Sequence, residues 1–185
     1  MQRLFKLPVF VLLSYVFILA LYSPVAQAAS AKEIDISVKE TLAEFKSKVK
    51  GGAKFLNDAE GVLVFPAVIK AGLGIGGEYG EGALLINGKH VDYYNVTAGS
   101  IGFQLGVQKK TLVIVFLEKQ ALKSFQYSSG WEAGVDGSVA LVKIGAGGSI
   151  DTTNIEDPIV SFVFGQKGLM YNLTLEGSKF SRIKK

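Results

Sequence analysis

The sequence predicts an α+β domain. One or two N-terminal amphipathic helices pack on a strongly curved, mainly antiparallel, glycine-rich sheet or barrel-like roll. Three observations predict it. A helical apolar period runs through residues 32–50. Period-two alternation follows an apolar run within 61–86 and continues through 90–108, with large residues on one face and glycine on much of the other. Apolar runs at 111–117 and 159–164 then read as strands covered on both faces.

The chain first carries an export signal. Arg3 and Lys6 form a charged region, residues 7–22 an apolar one, and Ala26-Gln27-Ala28 a small-x-small cleavage pattern. The apolar run falls short of the ~18–20 residues a membrane span needs. Residues 1–28 are therefore read as a signal peptide and 29–185 as a single domain. Removing the signal takes Lys+Arg from 20 to 18 against 16 acids, so the net charge falls from +4 to +2. That excess is too weak for bulk nucleic-acid binding. Cysteine is absent, which excludes disulfides, thiol chemistry and an N-terminal lipidated cysteine.

The first helix is read from Ile34, Val38, Leu42, Phe45 and Val49, which fall within a stripe of about 80° at 100° per residue. Lys32, Lys39, Lys46 and Lys50 project along one flank, Glu33, Glu40 and Glu44 along the other. Two readings stand. The stripe packs on the sheet, or the helix lies in a membrane interface with its lysines near anionic headgroups. Gly51-Gly52 ends it, and a shorter helix follows over 53–58.

In 61–86 an apolar run gives way to Leu73, Ile75 and Tyr79 alternating with Gly72, Gly74, Gly76, Glu78, Gly80 and Gly82. A strand bald on one side lets another backbone, a helix or a ligand lie close. Gly72-x-Gly74-x-Gly76 echoes a dinucleotide fingerprint, but no helical period follows it, so nucleotide binding is set aside. In 90–108 the alternation continues, Ile101, Phe103, Leu105 and Val107 against Gly102, Gln104, Gly106 and Gln108. A short helix is expected over 118–126, a strand over 131–144 and a final strand over 169–175. A basic tail then holds Lys179, Arg182, Lys184 and Lys185.

Catalytic signals are thin. His90 is the single histidine, and no Gly-x-Ser-x-Gly elbow surrounds any serine. Asp151, Asn154, Glu156 and Asp157 depart from the spacing of a calcium loop. Glu78 and Glu81 fall on opposite faces of a regular strand. No enzyme activity, metal or cofactor is expected.

The order EGVLVFPAVIKAGLGIGGEYGEGALL, YYNVTAGSIGFQLGVQ, LVIVFL and SFVFGQKGLMYNLTLEGSKFSRI resembles the SYLF domain family over roughly 32–183. That family includes bacterial exported proteins and lipid- and actin-associated modules of eukaryotes. The resemblance implies a non-enzymatic protein of the bacterial envelope, periplasmic or secreted, that contacts anionic phospholipid through a basic amphipathic N-terminal segment. Lys32, Lys39, Lys46 and Lys50 occupy such a segment, and Phe45 is the candidate for apolar insertion. Lys179, Arg182, Lys184 and Lys185 form the rival basic site. Actin is not an expected partner of an exported protein. The alternatives are a soluble carrier with an apolar ligand inside the curved sheet, and a structural module that assembles through its sheet edge.

Overall fold

The computed structural model describes residues 28–144, 157–168 and 174–185, with backbone alone for 73, 74 and 100–105. In order these form α1 (Ala31–Lys48), α2 (Gly52–Asp58), β1 (Gly61–Ile86), β2 (Lys89–Phe116) and α3 (Lys119–Tyr127). There follow β3 (Trp131–Glu132), β4 (Ala140–Lys143), β5 (Ile159–Gly168) and β6 (Lys179–Ile183). The expected α+β class, with helices on a curled and mostly antiparallel sheet, is the observed one.

A long hairpin dominates the sheet. β1 pairs with β2 antiparallel from Gly61↔Phe116 to Ile86↔Lys89. Its loop is Asn87-Gly88, with φ of 51° and 70°. Left-handed backbone at both positions suits a two-residue turn whose twist matches the strands. β2's other partners are β6, against 93–97, and β5, against 108–116. β3 extends the sheet beyond β6, and β4 extends it beyond β5 in parallel. The segments 90–108 and 111–117 are thus one continuous strand.

β1 also doubles back on itself. A Cβ at Gly72 would sit 2.6 Å from Gly76 Cα, and one at Gly80 would sit 2.8 Å from the Ala67 carbonyl oxygen. At Gly82 a Cβ would collide with the Val64 carbonyl oxygen. The bald face at these positions therefore serves backbone-to-backbone approach between two halves of one strand. The register breaks near Pro66 and between Leu73 and Gly74 supply the bends.

Two apolar clusters use opposite faces of the central strands. Leu63, Phe65, Leu112, Ile114 and Phe116 join Leu122 and Phe125 of α3, Trp131 of β3 and Phe180 of β6. Val62, Val64, Val113 and Val115 join Ile34, Val38, Phe45 and Val49 from α1 and its C-cap, with Phe162 and Phe164 of β5. Burial on both faces explains why 62–65 and 111–116 are apolar at nearly every position.

Two expectations need correction. The segment 131–144 is not one strand. Gly134 has φ of 86°, and the Glu132 N–H donates to the Asp136 carboxylate at 2.7 Å, closing a turn that leaves Val135 73% exposed. Nor is 179–185 a solvated tail. It contains β6, whose Phe180 is buried against Phe65, Phe125 and Trp131. Most of the strand expected over 169–175 lies outside the described residues, as do Asp151, Asn154 and Glu156.

Candidate lipid-binding surface

The surface begins with how α1 is fixed. Ser30 is its N-cap: the hydroxyl accepts from the Glu33 N–H at 3.3 Å, and the Glu33 carboxylate accepts from the Ser30 N–H at 2.7 Å. This reciprocal pair satisfies two of the orphan donors at the helix start. The Ser30 N–H and the Ser30 hydroxyl, which also donates to that carboxylate at 2.7 Å, hold the Glu33 carboxyl below its ordinary range. The helix then turns Ile34, Val38 and Phe45 onto the sheet.

Of the two readings of this helix, the packed stripe is the observed arrangement. Phe45 is fully buried, its ring edge-on to Phe162 at 5.0 Å and tilted against Phe164 at 6.1 Å. Phe45 as a membrane-inserting side chain is therefore corrected. Lifting it out forfeits burial worth about 1.5–3 kcal/mol before any lipid contact is made. Lys32, Lys39, Lys46 and Lys50 are all exposed, and among the described residues none of the four has an ion-pair partner. Lys50 lies past the helix end, beyond the C-cap Val49. Ile36 shares the exposed side with them at 48% exposure. It is a large apolar residue available beside the lysines, outside the apolar stripe that marks the buried face.

Glutamates on the other flank are partly engaged. Lys48 pairs with Glu44 at 2.6 Å, and Glu33 belongs to the cap. Asp35 accepts a hydrogen bond from the Tyr93 hydroxyl at 3.1 Å, tying the helix to β2. Burial first, and then the Asp35 charge, push the Tyr93 hydroxyl upward.

The rival basic group is dispersed. Arg182 donates to the Gln126 carbonyl at 3.0 Å, pairs with Asp92 at 3.4 Å and lies over the Tyr94 ring. Lys185 Nζ reaches Glu81 at 2.8 Å with its side chain 10% exposed. Lys179 and Lys184 are exposed. Two of the four cations are thus bound to the protein itself.

Residues 97–185 match the model of the Ysc84 family, described as a Las17-binding protein and actin regulator. That match agrees with the SYLF resemblance of the sequence and covers its C-terminal part. No curated protein matches the chain. The family is one of binding modules, associated with lipid- and actin-related binding. The matched Ysc84 segment begins partway along β2 and includes β5, β6 and the rival basic group. α1 and β1 precede it.

Two polar clusters lie where β1 doubles back. Glu78 pairs with Lys110 at 2.7 Å and with Lys70 at 3.6 Å, and all three side chains are nearly excluded from solvent. Glu81 accepts from Tyr79 at 2.7 Å, from Lys185 and from the Ala29 N–H at 3.1 Å. Partial burial pushes the Glu81 carboxyl up, but the bonds from Lys185 and Tyr79, the Lys185 charge and the Ala29 amide together hold it below the ordinary range. Burial, and then the Glu81 contact, push the Tyr79 hydroxyl up to about 12. A depressed folded-state carboxyl adds stability that is complete above its unfolded value and is lost as pH falls through the folded one. The Tm difference between wild type and Glu81→Gln should accordingly be constant near neutrality and shrink through the acid range. A difference independent of pH from neutrality down through that range would show that Glu81 is not held ionised by these partners.

Among the described residues no helix is long and apolar enough to cross a membrane, and no group of three acidic or histidine side chains is placed to hold a metal. His90, the single histidine, stacks on the Tyr93 ring at 4.1 Å.

Proposed function

We propose that the protein is a non-enzymatic component of the bacterial cell envelope that binds anionic phospholipid through the exposed lysine side of α1. The observation that carries this reading is the division of labour on the helix. Its apolar stripe is spent on the core, while Lys32, Lys39, Lys46 and Lys50 stand free beside exposed Ile36. The association of the Ysc84 family with lipid supports it. The carrier alternative gains no support, because Phe65, Phe116, Phe125, Trp131 and Phe180 fill one side of the sheet with packed rings.

Each lysine near an anionic surface contributes about 1 kcal/mol, so four contribute roughly 4 kcal/mol, which alone corresponds to binding on the order of millimolar. Ile36 supplies a modest apolar increment, so the contact is weak and reversible, and salt weakens it. Co-sedimentation with phosphatidylglycerol vesicles tests the reading. Replacing Lys32, Lys39, Lys46 and Lys50 together by Gln should lower the bound fraction to the level seen with neutral vesicles. The thermal midpoint should hold, since exposed charges add little to stability. Glu40→Gln should strengthen binding. Lys179→Gln/Lys184→Gln is the control for the rival group, because deleting 178–185 would remove β6 and its buried Phe180. Loss of binding in that control alone would move the lipid contact to β6.

A further inference from the structure

We infer that Glu81 is the docking site for the α-ammonium that cleavage after Ala28 creates at Ala29. The inference rests on the export reading above. The Ala29 N–H donates to Glu81 Oε2 at 3.1 Å. Lys185 Nζ donates to the same oxygen at 2.8 Å and to the Ala29 carbonyl at 2.9 Å. The Tyr79 hydroxyl donates to Oε1 at 2.7 Å. Both polar groups of the Ala29 backbone are thus held, one residue ahead of the Ser30 cap that starts α1.

Cleavage changes the chemistry of one atom in this arrangement. Hydrolysis of the Ala28–Ala29 peptide bond consumes one water, and Ala28 departs with the new carboxylate. The Ala29 nitrogen becomes a primary amine, which takes up a proton at neutral pH because α-amines titrate near 7.7–8.0. A neutral amide donor becomes an ammonium already within hydrogen-bond distance of a carboxylate. Charge-assisted bonds of this kind are roughly twice as strong as neutral ones. Ala28 is exposed, so the bond to be cut lies at the surface. Ala28 and Ala29 also line a groove of about 470 Å³ with Ile34, Ala67, Ile69 and Tyr79.

The arrangement has a consequence for Lys185. Two cations share Oε2 after cleavage, so the new ammonium takes over part of the role Lys185 plays before it. Lys185→Gln should therefore destabilise the unprocessed chain more than the processed one.

Two measurements separate the docking from the processing. Intact mass of the exported full-length protein should show a product beginning at Ala29. A product that keeps Met1–Ala28, or begins elsewhere, overturns the processing step and with it the inference. Docking is read from protein beginning at Ala29 and protein beginning at Gln27, each as wild type and as Glu81→Gln. The Ala29 form should unfold about 2–4 °C higher than the Gln27 form, and the gap should close in Glu81→Gln. The Ala29 α-amine, followed by ¹⁵N NMR, should titrate above its ordinary range in wild type and return to it in Glu81→Gln. Equal midpoints with an ordinary α-amine titration would sink the docking, as would a gap that persists in Glu81→Gln. Should Glu81→Gln fail to fold, the titration of the wild-type α-amine decides alone.

Discussion

Gly82→Ala should lower the thermal midpoint by roughly 6–12 °C. The new methyl group has nowhere to go. It would collide with the Val64 carbonyl oxygen and lie 2.8 Å from both the Val64 carbonyl carbon and Phe65 Cδ1. Two of these three neighbours are backbone atoms in a strand that is paired through Val64↔Val113, so they cannot swing aside as a side-chain end would. Overpacking typically costs 1–3 kcal/mol and sometimes more, and this collision belongs at the upper end. At this chain length each kcal/mol moves the midpoint by about 2–4 °C. Gly80→Ala, against Ala67 and Val68, should show the same sign with a smaller size. Gly99→Ala is the internal control, since a Cβ there meets nothing within 4 Å. It should lie within about 0.5 kcal/mol of wild type. Gly82→Ala as stable as Gly99→Ala would mean that the two halves of β1 do not meet.

That contrast marks how far the fold was legible in the sequence. Alternation around Gly72 to Gly82 shows a bald face and therefore a close approach. It does not say that the approaching backbone is the same strand, because a period of two carries no information about a fold-back that brings Gly80 to Ala67 and Gly82 to Val64. The stretch 111–116 announces burial on both faces by being apolar throughout, and the helical period of Ile34, Val38 and Phe45 announces α1. Asn87-Gly88 was a readable hairpin signal that the strong alternation on either side overshadowed. At 131–144 the alternation survives on paper, yet Gly134 and Asp136 form a turn that local hydrogen bonding favours over pairing.

The candidate site divides the same way. Exposure of Lys32, Lys39, Lys46 and Lys50 follows from their angular distance to the apolar stripe, so sequence reaches it. The burial of Phe45 follows from that same stripe and excludes it from a lipid contact. Arg182 and Lys185 look like free tail charges until β6 brings Tyr94, Asp92 and Glu81 beside them. Such pairings join residues 88–104 positions apart, and no local pattern records them.

Glu78 is the most demanding case, and Glu78→Gln should cost about 3–5 kcal/mol, a fall of roughly 6–20 °C in the midpoint. In sequence it is one acidic residue in a glycine-rich strand. In the fold it is the carboxylate between two ammonium groups, Lys110 at 2.7 Å and Lys70 at 3.6 Å. Lys110 and Lys70 are 1% and 7% exposed, so water offers them little replacement solvation. A neutral amide in place of the carboxylate leaves two buried cations facing each other without a counter-charge. Removing one partner of a buried pair is far costlier than removing the whole group. The triple variant Lys70→Met/Glu78→Leu/Lys110→Met should therefore be neutral or more stable than wild type by up to about 4 kcal/mol, provided the volumes are accommodated. Chemical denaturation of the two variants checks both signs at once. If Glu78→Gln costs under about 1 kcal/mol, as an exposed pair would, the cluster is hydrated rather than buried. If the triple variant is as unstable as Glu78→Gln, the charges are needed to hold the doubled strand together, and the triad is a structural lock rather than a tolerated cost of the fold.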